Sequence, residues 1–287
     1  MPEIVRREEV ASRTILLEIA APEVARKAQA GQFVVVIPDE RGERIPLTLA
    51  DWDPEAGTIT IVFLVVGTST QKLAWLATGD SIAHLAGPLG RPTEAENFGT
   101  VAVVGGGVGI AAVFPIARAL KDAGNRVIAV MGARCRDLLF WEDRLHTVSD
   151  ELIPTTDDGS YGRKGVVTQP LQELLQAGQR LDRVIAVGPT VMMRFVAKTT
   201  QPFGVKTIVS LNPLMLDATG MCGVCRVRIG EQTKFACVDG PDFDAHLVDW
   251  ELLQARQRSY RDEERCSLEH LEHLALKNPG EEDRAQA

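Results

Sequence analysis

Three cysteines fall within sixteen residues: Cys222 and Cys225 in Asp217-Ala-Thr-Gly-Met-Cys-Gly-Val-Cys, then Cys237 in Phe-Ala-Cys-Val-Asp-Gly-Pro. Thiolates at this density repel one another unless a cation binds them, which points to iron–sulfur or zinc chemistry. Zinc would take the three thiolates with Asp217 or His246 as the fourth corner of a tetrahedron. Gly220, Gly223 and their small neighbours instead leave room for inorganic sulfide and free backbone N–H groups to hydrogen-bond sulfur, which favours a cluster. A packed set of free cysteines with no metal is the remaining alternative. Cys135 and Cys266 stand alone and read as packing residues, and none of the five histidines has ligand spacing.

Nucleotide chemistry is the second theme. Val101-Ala-Val-Val runs into Gly105-Gly106-Gly107-Val-Gly109, a strand-to-helix turn whose amides and helix N-terminus suit a pyrophosphate. The third glycine of the dinucleotide fingerprint is replaced by Ile110, so a ligand-free tight turn stays open as a reading. Gly132-Ala-Arg134, Asp157-Asp158-Gly-Ser and Gly188-Pro-Thr-Val-Met192 are placed at the same edge of the same sheet, the acidic Asp157 loop also reading as a solvated turn. Earlier in the chain, Arg44-Ile-Pro46-Leu47-Thr48 offers a cation, a stiff backbone and a hydroxyl for a phosphate and a heteroaromatic ring. Gly67-Thr-Ser-Thr70 opens a helix and serves as a cap or a phosphate site, and Gly87-Pro-Leu-Gly90 reads as a compact turn. No Ser/His/Asp arrangement and no H-E-x-x-H occurs, and hydride transfer between nicotinamide and flavin needs no acid–base pair.

The elements that must position these residues follow from patterning. Residues 1–98 read as a β-rich barrel, with strands at Thr14–Ile19, Gln32–Ile37 and Thr58–Val66 and one helix near Thr70 to Ala77. From residue 99 to 212, strands at Val101, Val127, Val184 and Thr207 alternate with helices over 110–123, 138–148, 166–176 and 190–199, the pattern of a parallel sheet covered on both faces. Residues 213–248 hold the cysteines, with a hairpin bringing Cys237 back toward Cys222 and Cys225. Residues 249–287 form a helical extension with a polar, frayed tail, in which Trp250, Leu253 and Tyr260 pack on their own domain or dock a partner. The fold class is thus an antiparallel β-barrel, a parallel-sheet α/β domain and a small metal segment. With 287 residues, net charge −8 and pI about 5.3, the chain does not read as a nucleic-acid binder. It shows no ~20-residue apolar run for a membrane span and no signal-peptide core, and the clustered, odd cysteine count is unlike a secreted disulfide framework; the expectation is a cytoplasmic protein.

Taken together, these motifs resemble the ferredoxin–NADP reductase superfamily, and the cysteine segment resembles that of dihydroorotate dehydrogenase B electron-transfer subunits. There a C-x4-C-x2-C-x(n)-C pattern holds a [2Fe–2S] cluster; here Asp217 takes the first position, giving D-x4-C-x2-C-x11-C. With that Asp, Leu211 to Asp244 looks most like the small (alpha) subunit family of NADH-dependent reduced ferredoxin:NADP⁺ oxidoreductase, also termed a sulfide dehydrogenase subunit. The resemblance implies FAD in the barrel, with Thr48 near the flavin N5, Arg44 on the pyrophosphate, and Pro46, Leu47, Leu64, Gly67, Thr70 and Gly87 around it. It implies NAD(H) bound by Gly105, Gly106, Gly107, Gly109, Gly132, Arg134, Asp157, Asp158, Gly188 and Met192, and a [2Fe–2S] cluster on Asp217, Cys222, Cys225 and Cys237. It also implies a larger partner subunit carrying a second FAD, two [4Fe–4S] clusters and the NADP(H) site, with ferredoxin reached indirectly and flavin-based bifurcation in the reverse direction. A dihydroorotate dehydrogenase electron-transfer subunit and a zinc-stabilised nucleotide-binding regulator are the alternatives.

Overall fold

The computed structural model describes residues 1–40 and 42–277. Runs of β-branched residues in period two build the first half: β1 (Ile4–Ala11), β2 (Thr14–Ala20), β3 (Phe33–Ile37), β4 (Ile45–Asp53), β5 (Thr58–Leu64) and β6 (His84–Leu89), with helices α1 (Pro22–Ala25) and α2 (Thr68–Trp75) between them. The six strands are all antiparallel, in the order β1-β2-β5-β4-β3-β6. An antiparallel bridge between Glu3 and Ser81 joins the two ends of this order and closes the barrel. Leu17, Ile19, Val34, Val36, Leu49, Ile59, Ile61 and Phe63 fill its interior.

The second half alternates: β7 (Thr100–Gly106), α3 (Gly109–Asp122), β8 (Arg126–Ala133), α4 (Glu142–Thr147), β9 (Glu151–Thr156), β10 (Arg163–Lys164), α5 (Thr168–Gln176), β11 (Arg183–Val187), α6 (Thr190–Thr200) and β12 (Thr207–Ser210). Along β7 and β8 successive residues face opposite cores. Val101, Val103, Val127 and Ala129 meet α3, while Ala102, Val104, Ile128 and Val130 join the cluster containing Leu171 of α5 and Val196 of α6. The cysteine segment supplies the hairpin β13 (Arg226–Ile229) and β14 (Gln232–Phe235), then α7 (Ala236–Asp239) and β15 (Asp242–Asp244). The strand β15 adds antiparallel to β12, so the sheet runs β10-β9-β8-β7-β11-β12-β15 and the cysteine segment is built onto it. Helices α8 (Trp250–Arg256) and α9 (Arg261–Lys277) follow.

Several expectations need correction. Gly87-Pro-Leu is not a compact turn but the end of β6, paired with β3. The first half holds a second, one-turn helix, α1, which four residues give too little periodicity to betray. The helix expected over 138–148 is a 3₁₀ turn at Arg136–Leu138 and the short α4, with Trp141 in a left-handed conformation between them. Cys266 is exposed on α9 rather than packed, whereas Leu253 is buried in the second domain's core and Trp250 donates Nε1–H to Ala245 O at 3.1 Å. Tyr260 is exposed. The expected frayed tail at 278–287 lies outside the described residues. No helix among the described residues is long and apolar enough to cross a membrane.

Candidate functional site

The loop from Leu216 to Val224 is bent by three residues in the left-handed region: Ala218 (φ 63°), Gly220 (φ 88°) and Gly223 (φ 67°). This curvature turns backbone N–H groups of Val224, Asp217 and Leu216 toward the Cys222 sulfur, and they hold its thiol below the usual cysteine range. The hairpin β13–β14 returns Cys237 to Cys225, whose sulfurs are 3.2 Å apart and buried. Burial, then the adjoining Cys225 thiol, push Cys237 up to about 12. Two thiolates at that distance repel, so both ionise together only with a cation between them. Asp217 lies beside Cys222, with Oδ2 accepting from the Thr219 hydroxyl and from Thr219 N at 3.2 Å, and Oδ1 accepting from Arg44 Nη1 at 3.0 Å. The Thr219 hydroxyl leads in holding Asp217 below the usual carboxylate range.

The donor set therefore comes as two pairs, Asp217 with Cys222 and Cys225 with Cys237. Among the described residues no three such side chains converge on one point. Paired oxygen and sulfur donors, with amides aimed at a sulfur, suit two bridged irons better than a single tetrahedral ion. The segment is anchored to the barrel by residues that the sequence did not single out. Arg91 N donates to Gly240 O at 2.6 Å, Arg91 Nε to Val238 O at 3.1 Å, and Thr93 Oγ1 to Asp242 Oδ2 at 2.6 Å. Nothing but an arginine and a threonine after Gly90 signalled them.

In the barrel, Pro46, Leu47 and Thr48 lie on β4 opposite Val35, Val34 and Phe33, and Leu64 ends β5, partly exposed. Arg44 stands just ahead of β4 and reaches Asp217 across 173 residues of chain. Gly67 is the N-cap of α2 and has open space where a side chain would be. The Thr70 hydroxyl accepts from Val66 N and Gly67 N at 3.0 Å and donates to Gly67 O at 2.9 Å, so it is committed to the helix start.

In the second domain the strand order reverses between β7 and β11, which places the ligand crevice there. The structure sorts the glycines around it. A Cβ on Gly109 would lie 2.2 Å from Val187 O, one on Gly106 2.2 Å from Met192 Sδ, and one on Gly132 2.2 Å from Val167 Cγ1. Gly105 and Gly188 are similarly crowded, by Val113 and by Met192. Gly107 alone among them has φ +55° and open space at its Cβ position; its N–H is taken by Gly132 O at 2.9 Å. Arg134 is exposed, and its carbonyl accepts from Asp158 N at 3.2 Å, so the loops after β8 and β9 adjoin. Asp158 accepts from the Ser160 hydroxyl at 2.7 Å and Ser160 N at 2.9 Å, which keep it ionised below the usual range.

A closed antiparallel barrel followed by a parallel sheet with its crevice at the switch point is the architecture of ferredoxin reductase-type proteins. It is shared with a cytochrome P450 reductase from Amycolatopsis at 22% identity and TM-score 0.60, covering 70% of this chain and 65% of that one. Residues 212–249 match the iron–sulfur cluster binding domain of dihydroorotate dehydrogenase B. The chain is 48% identical over 281 residues to a dihydroorotate dehydrogenase B (NAD(+)) electron transfer subunit homolog of Thermotoga maritima, covering 98% of each. It superimposes with TM-score 0.89, at 48% identity and covering 94% of this chain and 98% of the other, on a chain from the structure of NADH-dependent reduced ferredoxin–NADP oxidoreductase, determined to explain flavin-based electron bifurcation. The chain belongs to the family of dihydroorotate dehydrogenase B electron-transfer subunits and their homologues.

Proposed function

We propose that the chain is the small, NAD(H)-reactive subunit of a flavin-based electron-bifurcating oxidoreductase that couples NADH and reduced ferredoxin to NADP⁺. FAD supplies the conversion between a two-electron hydride and single electrons. On this reading residues 1–98 hold the flavin, 99–212 the nicotinamide nucleotide, 213–248 the cluster, and 249–287 an extension. Arg44 and the first-turn amides of α2 would grip the flavin's phosphates, with Thr48 facing the ring. The amides after Gly107 and the loops at Arg134, Asp157 and Gly188 would hold the dinucleotide in the crevice. Asp217, Cys222, Cys225 and Cys237 would hold a [2Fe–2S] cluster that passes electrons to a larger subunit.

One observation carries this reading. The Arg44 guanidinium and the Asp217 carboxylate are 3.0 Å apart, which supports a flavin site and a cluster site close enough for electrons to pass between them. The likeness to a chain of the ferredoxin–NADP oxidoreductase supports the bifurcating role. A dihydroorotate dehydrogenase partner is the second reading, favoured by the match over 212–249 and opposed by Asp rather than Cys at 217.

The test is purification of the native complex with flavin, iron and sulfide analysis. A larger subunit rich in [4Fe–4S] clusters, with NADP⁺ reduction dependent on both NADH and ferredoxin, is expected. A flavin-only dehydrogenase partner that turns over dihydroorotate selects the second reading, and a colourless zinc protein removes both.

A further inference from the structure

We infer that Arg44, beyond any role at the flavin, is a positioning residue for the iron–sulfur cluster: it orients Asp217 through Oδ1 and raises the cluster's reduction potential. The inference rests on the reading of Asp217 as a cluster ligand.

The donors around Asp217 support it. From its own loop the Thr219 hydroxyl and N–H on Oδ2 and the Met221 N–H engage the carboxylate, and from the barrel Arg44 Nη1 donates to Oδ1. Donors from two distant parts of the chain therefore fix the orientation in which the carboxylate would meet a cluster, and Arg44 is the one of them that carries a charge. Asp217 is the one hydrogen-bond and ion-pair partner that Arg44 has among the described residues, and the pair bridges barrel and cysteine loop. On the other side of the loop Arg91 and Thr93 hold the chain around Cys237, so the contact is part of a two-point clamp.

The sign of the effect follows from charge. A [2Fe–2S] cluster held there would take up one electron, supplied by the reduced flavin, with one ferric iron becoming ferrous; no bond would be made or broken, and the cluster would gain one negative charge. A guanidinium hydrogen-bonded to a ligand oxygen draws density from the iron and favours the more negative, reduced state. Removing that cation therefore lowers the potential. Lysine at the same place keeps the charge but loses the fixed fork.

The experiment is an EPR-monitored redox titration of the full chain as wild type, Arg44→Gln, Arg44→Lys, Asp217→Cys and the double variant Arg44→Gln with Asp217→Cys, with flavin, iron and sulfide measured on each. Arg44→Gln is expected to shift the cluster's midpoint to more negative potential and alter its EPR line shape, and Arg44→Lys to restore most of the potential. In the Asp217→Cys background the shift caused by Arg44→Gln is expected to shrink, because the oxygen through which it acts is gone; loss of flavin, common to both backgrounds, cancels in this cycle. No shift in Arg44→Gln, or an equal shift in both backgrounds, overturns the inference. A wild-type chain without iron and sulfide overturns the underlying reading and the inference with it.

Discussion

Asp242 shows how much one carboxyl can matter. Its Oδ2 accepts from Thr93, while its Oδ1 is sealed from solvent with no hydrogen-bond partner among the described residues. Burial pushes its pKa up, opposed by the Thr93 and Ser210 hydroxyls. The folded protein thus keeps a proton that the unfolded chain releases near pH 4. Because the native state binds more protons, stability falls as pH rises from about 4 through the raised value and stays reduced above it. Asp242→Asn should flatten that slope in denaturant titrations at several pH values and gain on the order of 1 kcal/mol at pH 8. The glycine turn allows a paired prediction. Gly109→Ala forces a Cβ against the Val187 carbonyl and should cost about 1–3 kcal/mol by thermal unfolding. Gly107→Ala has room and costs roughly 1 kcal/mol for its positive φ. On the proposed function Gly107 lies in the nucleotide-binding turn, so the added methyl should weaken NADH binding more than Gly109→Ala does per unit of stability lost, as read by fluorescence titration.

Among the elements, β4 joins chemistry to architecture. Its first residues carry Pro46, Leu47 and Thr48, and its last carry Asp51 and Trp52. Asp51, 19% exposed, pairs with Arg118 of α3 at 2.8 Å and with Arg144 of α4. Arg118 stacks over Trp52 at 5.1 Å and Phe114 at 5.2 Å, and Arg144 over Phe114 at 4.3 Å and Trp141 at 4.1 Å. The strand β4 is therefore bolted to α3 and α4 of the second domain, and on the proposed function this would hold the flavin ring against the nicotinamide crevice. Asp51→Ala leaves two guanidinium groups unpaired. After discounting for their partial exposure it should cost about 1–2 kcal/mol in chemical denaturation. A misaligned ring and nicotinamide should slow flavin reduction by NADH more than they weaken NADH binding, a split that stopped-flow kinetics resolves.

For the whole molecule, legibility in the sequence tracked the range of the forces involved. Most of the α/β half was readable because buried parallel strands such as Val101–Val104 and Val184–Val187 are short apolar runs between amphipathic helices, whereas β9, with Glu151, Pro154 and two threonines, lacks such a run and was missed together with the two-residue β10. The barrel was half readable. The strand β1 carries charged residues on an exposed face, and β6 contains Gly and Pro, so both lacked the usual strand signature. The cysteine motif was plain from spacing, whereas the Arg44–Asp217, Arg91–Val238 and Thr93–Asp242 contacts join residues 173, 147 and 149 apart and leave no local pattern. Likewise the glycines pointed to a nucleotide, yet most of them answer to close packing at the switch point. On the proposed function electrons from NADH reach a [2Fe–2S] cluster on Asp217, Cys222, Cys225 and Cys237. The most direct measurement is the EPR spectrum of the anaerobically purified chain after addition of NADH. The expected spectrum is the spin-one-half signal of a reduced [2Fe–2S] cluster, absent from Cys225→Ser and altered in Asp217→Cys. A chain that holds zinc, or one whose signal is the same in all three proteins, would contradict it.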